Sequence, residues 1–196
     1  MWALIEDGSI TKHLSGNRGI TIGDIQYSRK IFSLWSKSER EAKGIYEIVW
    51  NNAKKKDEAY YINTDVSYAF GNGKVTASYG DATARAHADT TDDDGNVTAT
   101  GLKTKRIKTL KAQAAGELSK TDWYIVRKAD ADTAIPSAIT NHRAAVRTKC
   151  ASMETAITNA SNTAAIETLY TFVNTADEGD PVVMERPLGE LPRLEV

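Results

Sequence analysis

The chain has 196 residues, a formal net charge of −1, 26% charged residues and 41% hydrophobic residues. This is the composition of a folded protein with one large or two small domains, and so small a net charge supplies no global field toward nucleic acid or an anionic membrane. A single cysteine, Cys150, rules out an intramolecular disulfide and a cysteine zinc cluster, and no apolar run approaches the roughly 18 residues needed to span a bilayer.

The opening, Met1 to Glu6, turns acidic without a basic segment and does not read as a secretion signal. Trp2–Glu6 and Ser9–Leu14 are β-rich runs around Asp7-Gly8, the signature of a hairpin. Ile20–Ile22 and Ile25–Tyr27 repeat that pattern around Gly23-Asp24. A short helix follows Ile31-Phe-Ser-Leu-Trp35: Ser36 or Ser38 can cap it, Glu39 sits in its first turn, and Gly44 can end it in the left-handed conformation. Ile45–Trp50 reads as a strand, and Asn51–Glu58, with Lys54-Lys-Lys56, as a polar break. A second hairpin is expected from 59–70 and 74–79, turning at Gly71-Asn-Gly73.

The stretch 89–101 is a polar loop around Asp92-Asp-Asp-Gly-Asn96. From Leu102 the hydrophobic period becomes helical. Ile107, Leu110, Ala114 and Leu118 share one face, and Asp122 can cap a short helix holding Trp123, Val126 and Arg127. A long helix over 137–159 carries the stripe Ile139, Val146, Cys150, Met153 and Ile157, with Pro136 at its start. On that stripe Cys150 is expected to pack as a small buried hydrophobe. A last helix over 163–174 offers Ile166, Leu169, Tyr170 and Val173. The tail after Asp177 holds Pro181, Pro187 and Pro192 and cannot be one helix or a central strand. Its apolar residues Leu188, Leu191, Leu194 and Val196 suit an extended arm packed on this or a neighbouring subunit, with plain disorder the alternative.

No pattern of residues marks an active site. Set on the twelve-residue calcium loop with Gly95 at its sixth position, Asp92 and Asp94 fall on ligand positions. The first and last ligand positions would then be Thr90 and Gly101, so a hairpin tip is the better reading. Gly71-Asn-Gly73 leads into no helix and no phosphate-loop lysine follows. His13, His87 and His142 stand alone, with no metal-ligand spacing nearby. The basic run Lys103, Lys105, Arg106, Lys108 and Lys111 could touch nucleic acid. Few aromatics interleave with it, and it fits the solvated side of an amphipathic helix better. The four tryptophans are expected in the core. Trp123 is placed under the long helix near Val146, with Asp122 and Glu117 positioned to meet Arg143 or Arg147, which share a helix face.

Two regions carry a resemblance. One runs from Trp2-Ala-Leu-Ile-Glu-Asp-Gly-Ser-Ile10 through Thr21–Tyr27 to the helix closed by Gly44-Ile45-Tyr46; the other runs from Thr121-Asp-Trp123 to Arg147. Together they resemble bacteriophage tail-fibre assembly proteins and related small tail proteins. The resemblance implies a non-enzymatic role in tail-fibre assembly or in the finished tail, in the virion or in host cytoplasm during assembly. It implies tail or tail-fibre proteins and further copies of this chain as partners, with no cofactor, small-molecule substrate or membrane. Nucleic-acid contact through 103–111, or an unrecognised enzyme, is the alternative.

The expected architecture is α+β: an N-terminal antiparallel β region, three to four C-terminal helices and an extended proline-containing arm. Its divisions are 1–50 (β with a short helix), 51–100 (hairpin), 101–176 (helical) and 177–196 (arm). The residues singled out for interaction are Asp122, Trp123, Arg127, Arg143, Arg147, Leu188, Leu191 and Leu194.

Overall fold

A computed structural model describes residues 1–194 and confirms an α+β protein; Val196, expected in the apolar arm, lies outside the described residues. The chain divides into two compact units, one ending at Thr83 and the other starting at Ala84. The expected 1–50 and 51–100 segments therefore contribute to one sheet unit, apart from the last residues of the second.

In the first unit, β1 (Trp2–Glu6) and β2 (Ser9–Leu14) form the expected hairpin. Asp7 and Gly8 both hold positive φ, as a tight two-residue hairpin turn requires. Next come β3 (Ile20–Ile22) and β4 (Ile25–Tyr27), a separate two-stranded ribbon, then α1 (Ile31–Leu34) and α2 (Lys37–Glu41). Ser36 caps α2 in a full capping box: its hydroxyl accepts from the Glu39 N–H while the Glu39 carboxylate accepts from the Ser36 N–H at 2.7 Å. Gly44 ends this segment at φ +74°, and a Cβ there would lie 2.4 Å from the Ile5 carbonyl oxygen. Its own carbonyl accepts from Ile5 N–H at 2.7 Å, beside the register shift in β1. Only glycine satisfies both the backbone conformation and that close approach.

β5 (Ile45–Asn51), β6 (Tyr61–Ile62), β7 (Ser67–Gly71), β8 (Lys74–Ser78) and β9 (Thr83–Ala84) follow. Residues 63–66, expected within a long strand over 59–70, are not strand. The turn between β7 and β8 is Asn72-Gly73, both at positive φ, whereas Gly71 belongs to the strand. The main sheet runs β2-β1-β5-β8-β7, and it is mostly antiparallel, but β5 and β8 are parallel neighbours. Burial accounts for the order. Val75 and Ala77 of β8 are fully buried, while Tyr68 and Phe70 of β7 are only half-buried, so the more deeply apolar strand takes the central place. The polar stretch after β5 carries the chain past β8 and makes the crossover possible.

The sheet curls until its two edges meet, with the ring centroids of His13 on β2 and Tyr68 on β7 4.2 Å apart. Ala3, Ile48, Val75 and Ala77 form the core on one face. Leu4, Ile31 and Ile45, with Trp2, Phe32 and Trp35 against them, form the other.

The second unit begins with a small polar hairpin, β10 (Thr90–Thr91) and β11 (Val97–Ala99), its tip at Asp92–Asn96. α3 (Leu102–Ser119) starts where Asp89 accepts from the Gly101 N–H at 2.7 Å and the Thr104 hydroxyl at 2.9 Å, and the first two helical N–H groups, of Leu102 and Lys103, donate to the Ala86 and His87 carbonyls at 2.9 and 3.1 Å. α4 (Asp122–Ala131) and α5 (Ser137–Asn159) follow, and α3 and α5 pack antiparallel through Leu110, Met153 and Ile157. α6 (Thr163–Tyr170) is capped by Asn162, whose side-chain Oδ1 accepts from Ala165 N–H at 2.9 Å. It is shorter than the expected 163–174: Thr171 turns extended, and Val173 enters β12 (Val173–Asn174), paired with β13 (Met184–Glu185). The arm folds back on its own unit, with Leu188 N–H donating to Leu169 O at 3.0 Å and its side chain 3% exposed in the α3–α5 core.

Candidate interaction surface

The residues singled out around α4 fall into a rivet and a face. The rivet is Arg143, on α5 and 8% exposed. Its Nη1 donates to Leu118 O at 2.7 Å, to Thr121 Oγ1 at 2.7 Å and to Asp122 Oδ1 at 2.8 Å. Thr121 is fully buried, and its hydroxyl in turn donates to Leu118 O at 2.9 Å. One guanidinium thus closes the end of α3 and fixes the start of α4, where Asp122 also sits favourably against the positive helix terminus. Asp122 therefore lies in the first turn, and the cap position expected for it is held by Thr121.

The expected place of Trp123 beneath α5 is not what forms. Trp123 is 52% exposed, because the rivet orients α4 so that none of its residues is buried. Ile125 and Val126 are exposed with it. Arg127 stacks across Trp123 and Tyr124, its guanidinium carbon 4.6 and 5.3 Å from the two ring centroids. Trp123, Val126 and Arg127 thus share one side of α4, whereas Ile125 is exposed on the other side. An exposed apolar cluster on an anchored element is the usual mark of a contact surface.

The other expectations resolve separately. Glu117 meets neither arginine; it pairs with Lys120 at 2.7 Å, and the hydrogen bond from Lys120 holds its carboxyl below the usual glutamate value. Arg147 is exposed beside Lys111, Leu118 and Cys150 and takes no part in the rivet. Leu188 serves the core, with Leu191 half-buried against the same cluster and Leu194 half-buried beyond it, so this part of the arm packs within its own unit. Trp2 and Trp35 are half-buried as core edges, whereas Trp50 is 40% exposed and stacks on Tyr79. Cys150 is half-buried at the edge of the α3–α5 core, and burial pushes its thiol up from the usual value.

The basic run on α3 is partly engaged: Lys111 Nζ lies 2.7 Å from Glu154, and the Arg106 guanidinium lies over Tyr170. His87 Nε2 is 2.8 Å from Ala160 O, and His142 is buried with its Nε2 unpartnered. Among the described residues no group of three or more His, Cys, Asp or Glu side chains is arranged to hold a metal ion, and no helix is long and apolar enough to cross a membrane. One exposed patch escaped the sequence reading. Phe172, Val173, Val182, Val183 and Met184 cluster on the β12–β13 ribbon, whose turn carries Asp177, Glu178 and Asp180. Val173 falls at helical spacing after Leu169 and Tyr170, and Pro181-Val-Val lies in the proline-containing arm, so neither stretch signals a strand by itself.

No protein-family model, curated protein or solved structure matches this chain.

Proposed function

We propose that this chain is a non-enzymatic bacteriophage tail-associated protein that works by binding other tail or fibre proteins, as a virion component or as a fibre assembly factor. The observation that carries a binding role is the outward face of α4. Trp123 and Val126 are exposed one turn apart on a helix whose start is pinned by Arg143, so that side offers a contiguous apolar contact. The tail assignment rests on the sequence resemblance across 2–46 and 121–147, and the second of those stretches contains both the rivet and the face.

Quantitative mass spectrometry of purified particles tests the reading. A fixed copy number per particle identifies a structural component. Absence from particles, combined with a fibre that is soluble only when this chain is co-expressed, identifies an assembly factor. A chain that is neither present nor required sinks the proposal. In either supporting case Trp123→Ala should weaken the association at least about 10-fold, as loss of a central aromatic anchor does, while the far-ultraviolet circular dichroism stays unchanged.

A further inference from the structure

A second pair of surfaces points to self-association, independently of α4 and of the tail reading. In the first unit, an open groove of about 710 Å³ is lined by Trp2, Phe32 and Leu34, with Arg29 and Lys30 the only charged residues in its lining. Leu34 is 72% exposed there, and the Trp2 and Phe32 rings lie 5.8 Å apart. Gly16, at φ +78°, packs so closely on the half-buried Trp2 indole that a Cβ would come within 3.0 Å, so a larger residue there would crowd this wall. Neither Arg29 nor Lys30 has an ion-pair partner among the described residues.

The β12–β13 ribbon has the opposite character. Its turn carries Asp177, Glu178 and Asp180 and no basic residue, and it leads directly into exposed Val182, Val183 and Met184. Val182 is 71% exposed, a poor state for an aliphatic side chain in water. The ribbon holds only two residue pairs, so its edges also offer unpaired backbone groups.

We infer that the acidic, apolar ribbon turn of one copy docks in the basic, aromatic groove of a second copy. Charge complementarity selects this occupant. The groove's charges are all positive and the turn's all negative, and both present apolar side chains beside those charges. Pairing like with like would set acid against acid or base against base, so the contact joins different patches on the two copies. Two copies can exchange this contact reciprocally about a two-fold axis, or it can run head to tail into a ring or filament.

The test is sedimentation and light scattering of the full chain, across protein concentrations up to about 1 mM. Mass should rise with concentration at low salt and fall toward the monomer near roughly 1 M salt, where screening is short-ranged. The groove reversal Arg29→Glu/Lys30→Glu, and the turn reversal Asp177→Lys/Glu178→Lys/Asp180→Lys, should each weaken association at least about 10-fold. All five positions are exposed, and circular dichroism checks that each variant folds. Mixed together, the two variants should assemble again, since each then supplies what the other lacks. A wild-type chain that is monomeric throughout, assembly untouched by either reversal, or a mixture that stays dispersed would overturn the inference.

Discussion

Replacing Arg143 with alanine tests the claim that one side chain fixes α4. Its Nη1 serves three acceptors at 2.7 to 2.8 Å, but an amino group carries only two hydrogens, so the three bonds cannot each count in full. Leu118 O would keep the Thr121 N–H and hydroxyl, at 3.1 and 2.9 Å, so no carbonyl is left unsatisfied. Asp122, with its side chain 57% exposed, would simply rehydrate. The net loss is then one to two charge-assisted bonds, about 2–3 kcal/mol, well short of the penalty for stranding a buried charge. Asp122→Ala takes the ion-pair carboxylate from a guanidinium whose side chain is 9% exposed, but leaves it the Leu118 carbonyl and Thr121 hydroxyl, so it should cost about 1–2 kcal/mol. Hydrogen exchange resolved by mass spectrometry supplies the assay. In Arg143→Ala the amides of residues 122–131 should exchange roughly 30-fold faster for a loss near 2 kcal/mol, with α3 and α5 still protected. An unchanged α4 in Arg143→Ala would refute the reasoning.

Other perturbations probe other parts of the molecule. Gly44→Ala must hold φ near +74° and push a Cβ against Ile5 O, so urea unfolding of the first unit should show a loss above about 2 kcal/mol. Leu188→Ala empties a site 3% exposed between α3 and α5, and should cost about 3 kcal/mol and deprotect residues 184–194 in exchange experiments. Glu39 is held below its ordinary value first by the Ser36 hydroxyl and then by the Ser36 backbone N–H. A depressed folded-state value means its contribution is complete at neutral pH and fades as pH falls through that value. The stability difference between wild type and Glu39→Gln should therefore shrink as pH drops from 7 to below about 4; a difference independent of pH would contradict the capping role.

Local chemistry was legible where it decides local structure. Asp7-Gly8, Ser36 with Glu39, and Gly44 specify their turns and cap within a few residues, and the strands and helix they bound match the reading. The long stripe on α5 was equally plain because its residues repeat at helical spacing over 23 residues. What could not be read were choices between long-range partners. Placing β8 rather than β7 beside β5 depends on Val75 and Ala77 being buried more deeply than Tyr68 and Phe70, a comparison between segments. Trp123 was misplaced for a related reason. Its apolar character argues for burial, but the direction of α4 is set by Arg143, more than a helix away in sequence. From sequence Asp122 can meet either Arg143 or Arg147, and neither choice says which way the bond turns the indole.

The parallel ladder between β5 and β8 carries a kinetic consequence. The β1–β2 and β7–β8 hairpins close over short loops and can form within microseconds. Their union waits for β5, which belongs to neither hairpin and must set residue 46 against residue 3 and residue 48 against residue 75. The first unit should thus cross its barrier while the seam between two finished halves is being laid. Substitutions at Ile48 or Val75 would slow folding itself, whereas changes in either hairpin turn would mainly alter how readily each half is supplied.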